Sequence, residues 1–204
     1  MLKEHRLLIV FLLLFSTVLI WSAIHPSDRF TWWLEVIPAL IGMLILFFTY
    51  RFFTFTTLVY FLVFIHSSIL FIGGHYTYAE MPLFNWFKDI LGLDRNYYDR
   101  LGHFAQGFIP AIIIRELLIR TSPLKNSKWL PITVVSMCLA ISAVYELVEF
   151  FVAVLTGEAA EAFLGTQGDV WDTQWDMLFA LIGAIISYIT LCKTHSQQLM
   201  KMKK

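Results

Sequence analysis

Three apolar segments of this chain carry groups that hydrocarbon does not tolerate. Asp99, His103 and Gln106 lie on the first, Glu146 and Glu149 on the second, and Asp169, Asp172 and Asp176 at the head of the third. Ionisable side chains are costly inside a bilayer, so they pair, line a cavity or do chemistry. Asp99 and His103 stand four residues apart, which lets a helix bring them together. A carboxylate in that place orients an imidazole and raises its basicity, as in acid–base pairs or around metals. The acid–base candidates are therefore Asp99, His103, Glu146, Glu149, Asp172 and Asp176. An oxygen-rich set with one histidine also suits a hard or borderline divalent ion such as Mg, Mn or Zn. Asp99, His103, Glu149, Asp169 and Asp172 are the candidate ligands.

Acids this close cannot all stay charged unless something neutralises them: Arg100, a metal ion, or protons held by raised pKa values. The spacing matches no HExxH motif, and the chain has neither a Gly-rich phosphate loop nor a G-x-S-x-G elbow. A buried hydrogen-bonded network that only fixes helix packing accounts for the same residues.

The elements that must position these groups follow from composition. The 204 residues are 58% hydrophobic and 15% charged, with mean hydropathy +0.70; soluble domains carry roughly 25% charged residues. Runs of ~20 apolar residues cross a hydrocarbon core. Six such spans are expected, at residues 7–24, 32–50, 54–73, 99–119, 131–155 and 172–192. This is an all-α, polytopic membrane bundle forming one domain over residues 1–204. Only Arg51, Phe52 and Phe53 separate the second and third spans, a tight hairpin. The first run is longer than the ~7–15 residues of a signal-peptide core and no A-x-A site follows, so it reads as a retained span.

Of the 15 Lys and Arg residues, Arg29, Lys88, Arg95 and Arg100 fall on one side of this layout and the other eleven on the opposite side. The positive-inside rule then puts both termini in the cytoplasm. Cys138 and Cys192 suggest neither a disulfide nor a metal site. The basic tail (Lys201, Lys203, Lys204) suits anionic lipid rather than nucleic acid.

Helix geometry gives the depths of the acids. At ~1.5 Å per residue, His103 lies about 6 Å inward of Asp99, and Asp176 the same distance inward of Asp172. Glu149 sits roughly 9 Å, and Glu146 roughly 14 Å, from the outer end of the fifth span. Asp99, His103, Gln106 and Pro110 share one helix face; Ser142, Tyr145, Glu146 and Glu149 share a second; Asp169, Asp172 and Asp176 share a third. Lipid-facing carboxylates being so costly, the three faces are expected to converge on one water-accessible pocket open to the outer side.

Between the third and fourth spans, Leu83, Trp86, Phe87, Ile90 and Leu91 recur at helical spacing, with Pro82 at a permitted first turn and Gly92 as a stop. A short amphipathic helix over 82–91 is expected, lying in the outer interface or packed over the bundle. Pro110 interrupts the backbone bonding of the fourth span. His66 stands near the acids in depth, while His5, His25 and His195 read as surface residues and Glu116 as a local ion-pair partner beside Arg115. Trp171 and Trp175 suit the interface.

With these residues in place, the chain is similar nearly end to end to the YjdF-like family of small bacterial inner-membrane proteins. The likeness is carried by Gly73-Gly74 with Tyr76-Thr77-Tyr78-Ala79, by residues 98–104 (Tyr-Asp-Arg-Leu-Gly-His-Phe) with Gln106-Gly107, Pro110-Ala111 and Arg115-Glu116, by residues 140–147 with Glu149, and by residues 165–176. It implies residence in the cytoplasmic membrane and supplies no activity. A more distant likeness, over the C-terminal half, is to VanZ-like membrane proteins linked to glycopeptide resistance. It rests on the order Asp99-Arg100, His103-Phe104, Glu146, then Asp172 or Asp176, although the last helix here lacks the Asn that those proteins show.

Three functions fit. One is an enzyme or binding protein for an envelope lipid or lipid-linked group at the outer leaflet, with membrane lipids as partners and a divalent metal ion as the candidate cofactor. The second is an ion-coupled carrier, against which charged groups do not continue through the inner half of the spans. The third is a non-enzymatic component that binds a membrane partner.

Overall fold

The computed structural model describes residues 2–157 and 161–202. Lys203 and Lys204, and the side chains of Lys3 and His5, lie outside the described residues. Among those described, every regular element is helical: α1 (Leu2–Ala23), α2 (Arg29–Thr49), α3 (Thr57–Tyr76), α4 (Pro82–Leu91), α5 (Tyr98–Thr121), α6 (Trp129–Thr156), α7 (Glu161–Leu164) and α8 (Asp172–Met202), with 3-10 turns at Tyr78–Glu80 and Pro123–Asn126. All but α4 and α7 are long and apolar enough to cross a membrane, which makes six spans, as expected.

Two boundaries differ from the sequence reading. The link between α2 and α3 is not three residues but runs from Tyr50 to Thr56. The chain leaves helix there because Thr56 gives both its N–H (3.1 Å) and its hydroxyl (2.8 Å) to Glu116 on α5. The last helix continues past residue 192 to Met202. Its added turns are polar, yet His195, Ser196 and Gln198 bond inward to Glu116, Arg115 and the Leu58 N–H, so the tail is held as helix.

Lipid is as apolar as leucine, so helix association in a membrane rests on close packing and polar contacts. α5 is the centre: over half of its span is buried, against 11% of α1. Its most extensive contact is with α8. Gly107 of α5 lies against the Ala180 carbonyl, and Gly183 of α8 against the backbone of Phe104 and Phe108, so the two backbones touch where a Cβ would overlap. On its other sides α5 packs Ala105, Ile109 and Ile112 against Val59 and Leu62 of α3, and Ala111 and Ile114 against Leu130 and Val134 of α6. A separate core of Phe15, Trp32, Val36, Ala39 and Phe71 joins α1, α2 and α3. α5 runs unbroken through Pro110.

α4 occupies its expected bounds, with Pro82 in the first turn and Gly92 left-handed (φ 62°) at its end. Phe84 meets the Tyr98 ring at 5.3 Å and Asn85 accepts from Asn96 at 2.8 Å, which docks one side on the bundle. The opposite stripe (Leu83, Trp86, Phe87, Ile90, Leu91) is 40–63% exposed and points away from the protein. That is the disposition of an interfacial helix rather than of one whose apolar face packs over the bundle.

The contact of α5 with α8 sets the first prediction. Gly107→Ala places a methyl on the Ala180 carbonyl and should cost about 1–3 kcal/mol. Thermal unfolding in detergent should show a lower midpoint than wild type, and an unchanged midpoint would contradict the close approach.

Candidate functional site: a buried cluster of acids, arginines and one histidine

The end of the bundle opposite the termini gathers nearly every polar group singled out by depth. Asp99, His103, Glu146, Glu149, Asp172 and Asp176 are each no more than 8% exposed. Asp99 and His103 stand one turn apart on α5; Glu146 and Glu149 come from α6; Asp172 and Asp176 start α8. Asp169 sits just before α8 and accepts from the Trp171 N–H at 2.9 Å. The acids are enclosed rather than arranged round an open pocket. Phe163 of α7, itself buried, meets the Tyr145 ring at 6.3 Å, and Gly165 lies against the Asp99 carboxylate, so the 161–171 segment covers the cluster.

Two guanidiniums tie the parts together. Arg100 donates to Asp172 Oδ1 at 2.6 Å, to Asp169 Oδ2 at 3.2 Å and to Asp176 Oδ1. Arg95, from the loop before α5, donates to the same Asp172 oxygen at 2.6 Å, to the Gly165 carbonyl at 3.1 Å, and lies 3.6 Å from Asp99 Oδ2. Asn96 and Gln167 lock the same two segments: Asn96 N–H donates to Gln167 Oε1 (2.8 Å) and Gln167 Nε2 to the Asn96 carbonyl (2.9 Å). Asn96 is fully buried and its side chain also holds the Met81 carbonyl, at 3.0 Å.

His103 lies between two sets of acids. Its Nε2 faces Asp99 Oδ1 at 3.4 Å and Asp176 Oδ1 at 3.8 Å; its Nδ1 faces Gln106 Oε1 at 3.2 Å and Glu146 Oε1 at 3.7 Å. Among the described residues, two groups have their ligand atoms within 4.8 Å of one another: Asp99, His103 and Asp176, and His103, Glu146 and Glu149. Of the expected metal ligands, Asp99, His103 and Glu149 fall in these groups. Asp172 and Asp169 are instead turned to the arginines, because guanidinium forks and carboxylates match in a way that fixes both. Buried Asp99 Oδ2 and Glu146 Oε1 have no hydrogen-bond partner.

The structure adds two residues that the sequence reading passed over. Glu35 on α2 is 2% exposed, 3.5 Å from the Tyr145 hydroxyl, and accepts from Tyr78. Burial, with the Glu35 charge beside it, pushes the Tyr78 phenol well above its usual range, so it stays a neutral donor. The Tyr78 ring lies directly over Gly73. Glu35 carried a usable signal: it is the only charged residue in span 32–50, about one turn from the end that holds the other acids. Arg95 carried none beyond its charge, since its target lies 77 residues away in sequence. His66 is half-buried on α3 within electrostatic reach of His103, and His25, Trp171 and Trp175 are exposed, as expected.

His195 corrects the sequence reading: it is fully buried, not a surface residue. Its Nε2 lies 3.0 Å from Glu116 Oε2 and its Nδ1 2.7 Å from Arg115. Glu116 pairs with Arg120 at 2.7 Å rather than with the adjacent Arg115, because side chains four residues apart on a helix meet and neighbours in sequence do not.

Six spans round a buried charged cluster define a polytopic membrane protein with an ionisable interior site. The chain belongs to the family described as "Predicted membrane protein (DUF2238)", which matches residues 7–197. It is 45% identical over 184 residues to the inner membrane protein YjdF of Escherichia coli strain K12, covering 90% of this chain and 88% of that one. It is a multi-pass inner-membrane protein of a family whose description assigns membrane residence and no activity. Neither match carries the likeness to VanZ-like proteins, and no solved structure matches.

The arginine joint makes a stability prediction. Arg100→Leu leaves Asp172 and Asp176 short of a buried counter-charge, which should cost about 3–5 kcal/mol. Adding Asp176→Leu should recover part of the loss, so the double variant unfolds later than the sum of the single effects requires. Strict additivity in detergent unfolding would mean that the pair is not coupled.

Proposed function

We propose that the protein holds a divalent cation at the outer end of the inner membrane and uses it to bind, and act on, the head group of an envelope lipid or a lipid-linked group. The carrying observation is the geometry of His103. Gln106 Oε1 can only accept, so Nδ1 carries a proton, and Nε2 is the nitrogen turned between Asp99 and Asp176, where a cation would take the place of a ring proton. A hydrogen bond at one ring nitrogen that frees the other is the arrangement found in metal-ligating histidines. Two carboxylates and an imidazole suit Mn, Zn or Mg.

Charge supports the same reading. Among the described residues, the cationic partners of Asp99, Asp169, Asp172, Asp176, Glu35, Glu146 and Glu149 are Arg95, Arg100 and His103. A divalent ion offsets part of that excess where water is scarce. A bound cation polarises a phosphoryl or carbonyl oxygen, and Glu146 and Glu149, beside His103, are the carboxyls placed to exchange a proton there. Metal analysis of purified protein equilibrated with Mn, Zn or Mg should give about one ion per chain, because both candidate triads share His103. His103→Gln and Asp99→Asn should lose it while remaining folded. A wild-type protein that takes up none of the three ions sinks the reading.

The orientation rests on the Lys and Arg asymmetry, with both termini cytoplasmic. Reporter fusions after Gly165 should report an exported position and fusions after Lys125 a cytoplasmic one. The reverse pattern would put the cluster on the inner leaflet.

A further inference from the structure

At the end of the bundle that carries the termini, a cavity of about 480 Å³ opens between α5, the Pro123–Asn126 turn and the tail of α8. Among the described residues, its polar lining is Arg115, Arg120, Lys125, Asn126 and Ser196, with no carboxylate. Arg115 is the unusual member. It is only 7% exposed, yet among the described residues it pairs with no carboxylate. Its two terminal nitrogens donate to His195 Nδ1 and to Ser196 Oγ, both at 2.7 Å, and its Nε has no hydrogen-bond partner, the guanidinium otherwise lying 5.8 Å from the Tyr188 ring centre.

The bond to His195 also fixes that ring. Arginine only donates, so Nδ1 accepts, and the ring proton sits on Nε2 facing Glu116. His195 therefore brings Arg115 no negative charge. Glu116, the acid nearby among the described residues, is engaged by Thr56, His195 and Arg120. A buried guanidinium without a counter-ion is expensive. This one lines a cavity beside two further cations.

We propose that this cavity binds a phosphate group, that of an anionic phospholipid, between Arg115, Arg120 and Lys125. Guanidinium forks and a point-charge lysine are the donors that phosphate oxygens take, and basic pockets between helices near the membrane surface hold anionic head groups. The remaining lining, including Ile119 and Leu199, is apolar and suits the glycerol and acyl portion, which a free phosphate would leave unused. The site shares no residue with the His103 cluster and stands or falls apart from it.

The test is native mass spectrometry of the delipidated full-length protein with phosphatidylglycerol, phosphatidylcholine or inorganic phosphate. Wild type should retain phosphatidylglycerol in preference to phosphatidylcholine. Lys125→Ala, which removes an exposed side chain, should cut that preference about fivefold, the weight of one basic residue near a lipid surface. Arg115→Gln should abolish it, with the unfolding midpoint measured alongside. Displacement of the lipid by millimolar inorganic phosphate would support the phosphate site and assign its ligand to a soluble source. Equal retention of the two lipids by wild type, or an unchanged preference in Lys125→Ala, overturns the proposal.

Discussion

Arg100 is the contact on which the α4 end of this protein depends. It leaves α5 beside Asp99 and reaches three acids on and before α8. Without it, the heads of two closely packed helices would present like charges to each other in a medium that screens them poorly. Arg95 extends the same joint into the loops by holding Asp172 and the Gly165 carbonyl, and the Asn96–Gln167 pair closes it. The glycine contacts of Gly107 and Gly183 bring α5 and α8 together. The arginines make that approach tolerable at its charged end.

The six spans, the interfacial helix and the shared depth of the acids were legible in the sequence, because each rests on a local period or on a length. The bounds of α4 follow from Pro82 and Gly92 and match. Side-chain partners across the bundle were not legible. Nothing near Arg95 in sequence points to Asp172, and nothing near His195 points to Glu116 on α5. The polar tail of α8 read as the end of a helix because its hydropathy falls there. It stays helical because His195, Ser196 and Gln198 each find a buried partner. Glu35 is a different kind of omission. Its depth and isolation mark it, but no second charged group shares its span, and Glu35 joins its cluster only in space, through Tyr78 and Tyr145.

The two ends of α5 meet the problem of buried charge with opposite sign. At one end carboxylates outnumber their guanidiniums, and Asp99 and Glu146 each keep an oxygen without a hydrogen-bond partner. At the other, Glu116 is fully bonded while Arg115 keeps an unpartnered Nε. Between them α5 presents Ile109 and Ile112, buried against α3. A chain of titratable groups from end to end, as an ion-coupled carrier needs, is not built on this helix. The same apolar stretch that separates the ends lets each be charged independently: an excess of acids that invites a cation at one surface, and an excess of bases that invites an anion at the other. Both excesses sit where a helix meets the membrane boundary, so a ligand from the adjoining lipid or solution can complete them without any charge crossing the hydrocarbon.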